Sequence, residues 1–417
     1  MEVKLANSTG TQEAFQPKPA VAESGAHEPD GNRLTSVMRW WDLRTWRREV
    51  VVVLGASLAS RIAVIFTAKI ATWYASWYGK PLSVSQALNG WDGVWYLAIA
   101  RYGYPDRLFN QGAGNEWGMF PGLPILVKLV HVTGLSYEMS GAVVSCLAGG
   151  FAALGVYLAV RSVLGERVGV STAILLVFLP SSYVLSMTYT EGLFVACAGF
   201  CLYFLVIRRW ESAGLMALLG GFTRIGGVVL IACCAFEALR VATRERTVRP
   251  LTAPALAPLG LVMFMIDAKV RVGDFLAYKT AQEQYWLNTF DWFRHVWRAL
   301  DLVLTSRANW QNPAPVMASL ALVCVAIGAV ALVRTSRIPS VWWVYSVLTV
   351  VLALTDFYLN SIPRLMLPAF PLYAAVLGKL PECARSVLIS ASAVVMGALA
   401  LGAFLSIVNW QTAPMIP

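Results

Sequence analysis

Charge is scarce in this chain, and histidine and patterned cysteine are scarcer. Only 13% of the 417 residues are charged and 58% are hydrophobic, against roughly a quarter and about half in soluble domains. Such a deficit excludes a soluble enzyme, a disordered chain and a repeat solenoid. His27, His131 and His295 stand far apart and form no HExxH pair, and the seven cysteines include no CxxC. Neither a metal site nor a disulfide framework is therefore expected. No GxxxxGK[ST] occurs and no GxGxxG follows a strand pattern, so a cytoplasmic nucleotide-sugar donor is not indicated and no cofactor is implied. Residues 1–36 hold no apolar core of a secretory signal. The net charge of +10 comes from small clusters between apolar runs. That is how cytoplasmic loops read, and no nucleic-acid partner is expected.

What the chain has in quantity is long apolar runs, which predict an all-α polytopic membrane protein with the lipid bilayer as its solvent. About eleven transmembrane helices are expected, at residues 49–73, 139–160, 169–187, 191–207, 211–223, 225–241, 251–267, 313–333, 340–356, 363–379 and 386–408. Residues 1–48 read as a disordered cytoplasmic tail ending in a basic, Trp-rich anchor. Residues 49–408 are the transmembrane domain and 409–417 an extracytoplasmic tail. Within the domain, 74–138 is a long first extracytoplasmic loop and 268–312 a second extracytoplasmic segment. Segments 120–134 and 292–305 either span or lie on the membrane. Arg161, Arg167, Arg208, Arg209, Arg240, Arg244, Arg334 and Arg385 fall on alternate loops, which places those loops in the cytoplasm. The absence of a retention signal points to a bacterial plasma membrane with the polar residues facing outside.

Those polar residues carry whatever chemistry the chain performs. Asp92 opens the stretch Gly90–Asp106, where Trp95, Ile99 and Tyr102 fall on one helical stripe. Its carboxylate reads either as a helix N-cap or as a catalytic group. Glu191 follows Tyr189-Thr190 at the outer end of a span, where an acid is costly. Arg224 sits between two apolar runs that are short for a full crossing, so the pair is expected to be tilted or broken there. Arg364 lies in a stretch broken by Pro363, Pro368 and Pro371, and irregular backbone at that depth is tolerated where it lines a polar cavity. Arg61, inside the first span, reads equally as an ion-pair partner, a phosphate ligand or a snorkelling residue.

In order along the chain, several stretches resemble the PIG-V-type mannosyltransferases of the GT-C fold. They are Trp91-Asp92 with Trp95-Tyr96, Phe120-Pro121-Gly122-Leu123-Pro124, Thr190-Glu191-Gly192, Thr223-Arg224, Gly273-Asp274-Phe275 with Gln282, and Ser361 to Arg364. The resemblance covers residues from about 50 to about 380. Met119 stands where the family commonly has an aromatic, and Thr190 where it often has Ser. A resemblance of this kind implies an integral-membrane glycosyltransferase. It would move mannose from a polyprenyl-phosphate-mannose donor to a glycolipid or glycan acceptor, inverting, with Asp92 as general base. Arg224, Lys279 and Arg364 are then candidate phosphate partners, and Trp91, Tyr96, Glu191 and Gln282 candidate sugar or acceptor contacts. Asp106 is the fallback base. The competing readings are a lipid or sugar transporter or flippase, and a GT-C enzyme using another sugar or a protein acceptor.

Overall fold

The computed structural model describes residues 43–79, 81–108, 114–289, 292–305, 314–336, 338–356, 358 and 361–410. The expected tail at residues 1–42 and residues 411–417 lie outside the described residues. The compact body begins at Arg48, and no strand occurs among the described residues.

Among the described residues eighteen α-helices run in order: α1 Leu43–Trp77, α2 Val84–Leu88, α3 Asp92–Tyr102, α4 Gly122–His131, α5 Tyr137–Leu164, α6 Glu166–Phe178, α7 Glu191–Val206, α8 Trp210–Thr223, α9 Gly227–Glu245, α10 Thr252–Leu256, α11 Leu259–Val272, α12 Ala277–Gln284, α13 Arg294–Leu304, α14 Ala314–Val333, α15 Ser340–Leu354, α16 Ile362–Leu365, α17 Phe370–Lys379 and α18 Glu382–Trp410. Among the same residues five helical segments are long and apolar enough to cross a membrane alone: Arg48–Trp77, Tyr137–Leu164, Arg249–Val272, Pro315–Val333 and Glu382–Ile407. The chain is an all-helical, multi-pass membrane protein. Each of the eleven expected spans coincides with a helix or a broken helix, but the other six are short, interrupted or carry charge.

Burial follows from that solvent. On α1, Val53, Ser57, Ser60, Val64, Ala68 and Ala71 are buried at spacings of three and four, while Val51, Leu58, Ile62 and Phe66 are exposed. The exposed face is as apolar as the buried one, the pattern of a helix packed on one side and bathed in lipid on the other. Helix α5 is the central strut: 67% of its apolar stretch is buried, against 17% for α14 and α18. It packs against α7 through small residues. A Cβ on Gly199 would stand 2.6 Å from the Gly155 carbonyl carbon, and one on Gly192 would stand 3.2 Å from the Gly149 nitrogen. Close backbone approach of this kind is how helices associate where lipid removes the hydrophobic driving force.

The expected span at 169–187 is broken. Helix α6 stops at Phe178, just before Pro180, which lacks an N–H and clashes with the preceding turn. The chain resumes as the 3₁₀ turn Ser182–Ser186. Arg61 serves this break. Its Nη2 donates to Val177 O (3.2 Å) and Ser60 Oγ (2.8 Å), and its Nη1 to Ser182 O (3.2 Å). Arg61 is 3% exposed, so it neither snorkels nor faces a ligand; it caps carbonyls that the helix break leaves open. Arg61→Met removes the guanidinium from both carbonyls and leaves Val177 O to the Ser60 hydroxyl alone. Hydrogen bonds to charged groups contribute about 1.5–3 kcal/mol each, so the unfolding midpoint of the detergent-purified variant drops sharply, and Arg61→Lys, lacking the fork, recovers only part.

Breaks also shape the 361–370 region. Helices α16 and α17 are separated at Pro368, and the freed carbonyls are taken up by side chains. Ser181 Oγ donates to Pro363 O (2.9 Å), Tyr345 OH to Pro368 O (2.9 Å) and Tyr373 OH to Leu367 O (3.0 Å). The α8–α9 pair is broken at its tip, as expected: Arg224 takes an extended backbone, and Gly227 returns so closely that a Cβ there would lie 2.5 Å from Gly221 Cα. The opposite ends of these helices meet through Arg208–Glu245 (2.8 Å) and Arg249–Glu211 (3.8 Å). The basic loops expected on one side therefore share one end of the bundle, and Glu191 and Arg224 lie at the other.

Candidate active site

At that other end, four charged side chains from four separate segments meet. Asp92 comes from the first turn of α3, Glu191 from the start of α7, Arg224 from the tip after α8 and Arg364 from α16. Arg364 Nη1 lies 2.7 Å from Asp92 Oδ2 and 3.7 Å from Glu191 Oε1, and Arg224 Nη1 lies 3.4 Å from the same Glu191 oxygen. The order Asp92, Arg364, Glu191, Arg224 alternates in sign. Asp92 and Arg364 keep 24% of their side-chain surface and Arg224 18%, while Glu191 keeps 2%. Asp92 is therefore reachable from outside and Glu191 is the buried hub between two guanidinium groups.

The backbone delivers Asp92 by a strained route. Trp91, the residue before α3, has φ 52° and ψ −121°, a region that side chains with a Cβ avoid at a cost of about 1–3 kcal/mol. Neighbouring contacts hold it there. Thr188 N–H donates to Leu88 O (3.0 Å), the Thr188 hydroxyl donates to Asn89 Oδ1, and Asn89 Nδ2 donates to Glu138 O (3.1 Å). These bonds fix the α2–α3 connection against the strap that leads into Tyr189 and Glu191. Tyr189 OH accepts from the Asp92 N–H (3.3 Å), and the Arg364 guanidinium lies 5.1 Å over the Tyr189 ring. The N-cap position belongs to Trp91, with no side-chain capping bond. The Asp92 carboxylate goes to Arg364 instead of to its own helix, which removes the capping reading of that residue.

The other expected residues divide. Tyr96 is 7% exposed and has Thr190, Asp92 and Glu191 as neighbours. Trp91 packs half-buried against the apolar cluster that includes Val64, Met187 and Phe404. Neither Lys279 nor Gln282 joins the four charges. Lys279 is exposed on α12 and pairs with Glu283 at 3.5 Å. Gln282 donates from Nε2 to Gly118 O (3.0 Å) and accepts from Asn288 Nδ2 (3.2 Å). It clasps residues 277–288 to residues 95–118, as do Trp286 Nε1 to Asn115 O (3.0 Å) and the Trp95–Trp286 ring pair at 5.2 Å. Asp106 lies exposed, with Arg271 as its electrostatic neighbour. The expected stripe on α3 is not one face: Ile99 is buried with Gly93, Tyr96 and Ala100, whereas Tyr102 is 79% exposed.

Asp356, which sequence reasoning passed over as a loop boundary, stands beside this cluster. Burial pushes its carboxyl above the usual range, against the pull of the Tyr358 N–H, Arg364 and Arg224; the Tyr358 N–H to Oδ1 distance is 2.9 Å. A lone acid at the end of an apolar run was the available signal, the same one that marked Glu191. Because its folded value lies above the unfolded one of about 3.9, the folded state holds more protons in that window, and stability falls as pH rises through it. Asp356→Asn removes this fall. Its unfolding midpoint exceeds that of the parent by a margin that grows as the pH is raised above about 4, as read by thermal unfolding in detergent.

Two buried atoms of the cluster have no hydrogen-bond partner, Glu191 Oε2 and Arg224 Nη1. Both atoms are buried, and Arg224 Nη1 faces the Glu191 carboxylate at 3.4 Å, so the ligand-facing capacity of the cluster lies in the outer guanidinium donors and in Asp92. Among the described residues no group of three or more His, Cys, Asp or Glu is arranged to hold a metal ion.

No family model matches the chain, and no curated protein does. Among solved structures it is similar to the oligosaccharyltransferase of Archaeoglobus fulgidus in the apo form, at TM-score 0.48 and 11% identity, covering 84% of this chain and 56% of that one. The archaeal oligosaccharyltransferase AglB from the same organism, in complex with an inhibitory peptide and a dolichol-phosphate, matches at TM-score 0.47 and 11% identity over 89% of this chain and 56% of that one. ArnT from Cupriavidus metallidurans bound to undecaprenyl phosphate matches at TM-score 0.47 and 12% identity over 76% of this chain and 71% of that one. The chain spans a little over half the length of the Archaeoglobus fulgidus structures.

Proposed function

We propose that this protein is an integral-membrane glycosyltransferase of the GT-C type that moves mannose from a polyprenyl-phosphate donor to a glycolipid or glycan acceptor at the extracytoplasmic face. One observation carries the reading: the 2.7 Å contact of Arg364 with Asp92, 272 residues away in sequence. It supports joining the two ends of the motif series that resembles the PIG-V-type enzymes into one site.

The chemistry needs one base and a grip on phosphate. Asp92, accessible and aimed by Arg364, takes the proton from the acceptor hydroxyl. That oxygen attacks the anomeric carbon, and the polyprenyl phosphate departs with the bonding electron pair. Because phosphate is a stable anion, the leaving group needs no strong acid. Arg364 and Arg224 hold it, using the guanidinium donors that Asp92 and Glu191 leave over, each guanidinium having five. Glu191, too buried to reach a sugar directly, sets the spacing of the two arginines. A single displacement converts a β-linked donor into an α-linked product, and no step calls for a metal.

The test is incubation of membranes containing the chain with polyprenyl-phosphate-linked radiolabelled mannose, following label into lipid, glycan and protein fractions. Label in lipid or glycan that depends on Asp92 supports the proposal. Label in protein, or transfer only from a donor with a different sugar, would reassign the acceptor or the sugar within the same fold. Donor uptake across the bilayer with no transfer to any acceptor would make the chain a transporter.

A further inference from the structure

A recess that shares no lining residue with the four charges encloses about 460 Å³. It is lined by Lys69, Thr72, Trp73 and Ser76 of α1, by Pro81, Leu82 and Ser83 of the connection that follows, and by Gln86 of α2. Lys69 stands eight residues before the end of α1 at Trp77, about 12 Å along the axis. Above it, Trp73 packs on Trp77 at 4.3 Å and Tyr74 on Tyr78 at 5.0 Å, an aromatic collar of the kind that marks headgroup level. Below it, Ile62, Ile65 and Phe66 are exposed on the lipid side of α1.

A cation under such a collar is costly unless it reaches water or meets an anion. Lys69 has no ion pair among the described residues, and the recess contributes no carboxylate to neutralise it. The recess offers the ammonium the hydroxyls of Thr72, Ser76 and Ser83 and the Gln86 amide, beside the apolar Trp73, Pro81 and Leu82. Gln86 Oε1 accepts the Ser83 N–H at 2.9 Å, which commits its oxygen and leaves its NH₂ group as a donor. One cation, several neutral hydrogen-bonding groups and an indole face above an apolar wall match the phosphodiester, the hydroxyls and the chains of an anionic lipid. Gln86 precedes Asp92 by six residues, so a headgroup seated here lies at the same end of the bundle as the carboxylate.

We propose that this recess seats the acceptor, an anionic phospholipid whose headgroup carries free hydroxyls, with Lys69 on the phosphodiester and the chains along Ile62 and Phe66. Its role as acceptor seat rests on the transferase reading; its binding of an anionic lipid does not. The experiment uses the purified full chain, native mass spectrometry, and phosphatidylglycerol, phosphatidylcholine and inorganic phosphate as probes. The parent protein and Lys69→Arg retain phosphatidylglycerol over phosphatidylcholine. Lys69→Gln weakens phosphatidylglycerol about five- to tenfold, the loss of one lysine–phosphate contact, and leaves phosphatidylcholine unchanged. Equal retention by Lys69→Gln would reduce Lys69 to a snorkelling residue and overturn the proposal, and so would phosphate ion displacing the lipid at equal concentration. In the transfer assay Lys69→Gln raises the acceptor KM with kcat and donor KM unchanged; a raised donor KM instead would overturn the acceptor assignment. If the chain moves no sugar at all, the transferase reading fails while the lipid-binding measurement still decides the recess.

Discussion

Asp92→Asn lowers sugar transfer by about 10²–10⁴-fold, the range for loss of a general base, and leaves the fold in place. Asparagine keeps the shape of the side chain, and its Oδ1 still accepts from Arg364 Nη1, which lies 2.7 Å from Asp92 Oδ2 in the parent. The strained turn at Trp91 is held by Thr188 and Asn89 rather than by the carboxylate, so it survives. What the variant cannot do is take a proton. Initial rates of label transfer, read beside the unfolding midpoint, separate the two effects. Activity within severalfold of the parent would remove Asp92 from the chemistry, and Asp106→Asn would then be examined, although Asp106 lies beside Arg271 rather than the arginine pair.

Glu191→Ala has the largest effect on stability. Its carboxylate is 2% exposed and faces both Arg364 and Arg224, so its removal leaves Arg224 without its carboxylate and Arg364 with Asp92 alone. Breaking a buried ion pair from one side costs about 3–5 kcal/mol, and solvent screening offers little relief at this burial. The unfolding midpoint in detergent falls accordingly. A double variant, Glu191→Leu with Arg224→Met, recovers much of the loss because no unpaired charge remains, yet transfer stays low because a phosphate-holding arginine has gone. Additive losses of the two single changes would mean that Glu191 and Arg224 are not coupled.

These two residues were legible in the sequence for different reasons. Glu191 stood out because an acid at the end of an apolar run is costly, a purely compositional signal. Asp92 stood out by its place between Gly90, Trp91 and Trp95, where capping was favoured somewhat over catalysis. Asp356 gave the same compositional signal as Glu191 and was read only as the edge of a loop. Lys279 and Gln282 looked like members of the site because they lie in an aromatic, amide-rich segment; the structure gives one to Glu283 and the other to Gly118. Arg61 could not be resolved from its position because its partners are carbonyls, and carbonyls freed by a helix break 116 to 121 residues away leave no mark in a side-chain pattern.

By itself the sequence determined the solvent of this protein, the number and place of its apolar segments, and the end at which its polar residues gather. Those follow from free energies of transfer, which add residue by residue along the chain. Which carboxylate faces which guanidinium was decided only by tertiary structure. Ion pairing falls off within a few ångströms, and Asp92 and Arg364 come that close only because small-residue packing of α5 on α7 and the proline breaks in α16–α17 set the backbones there.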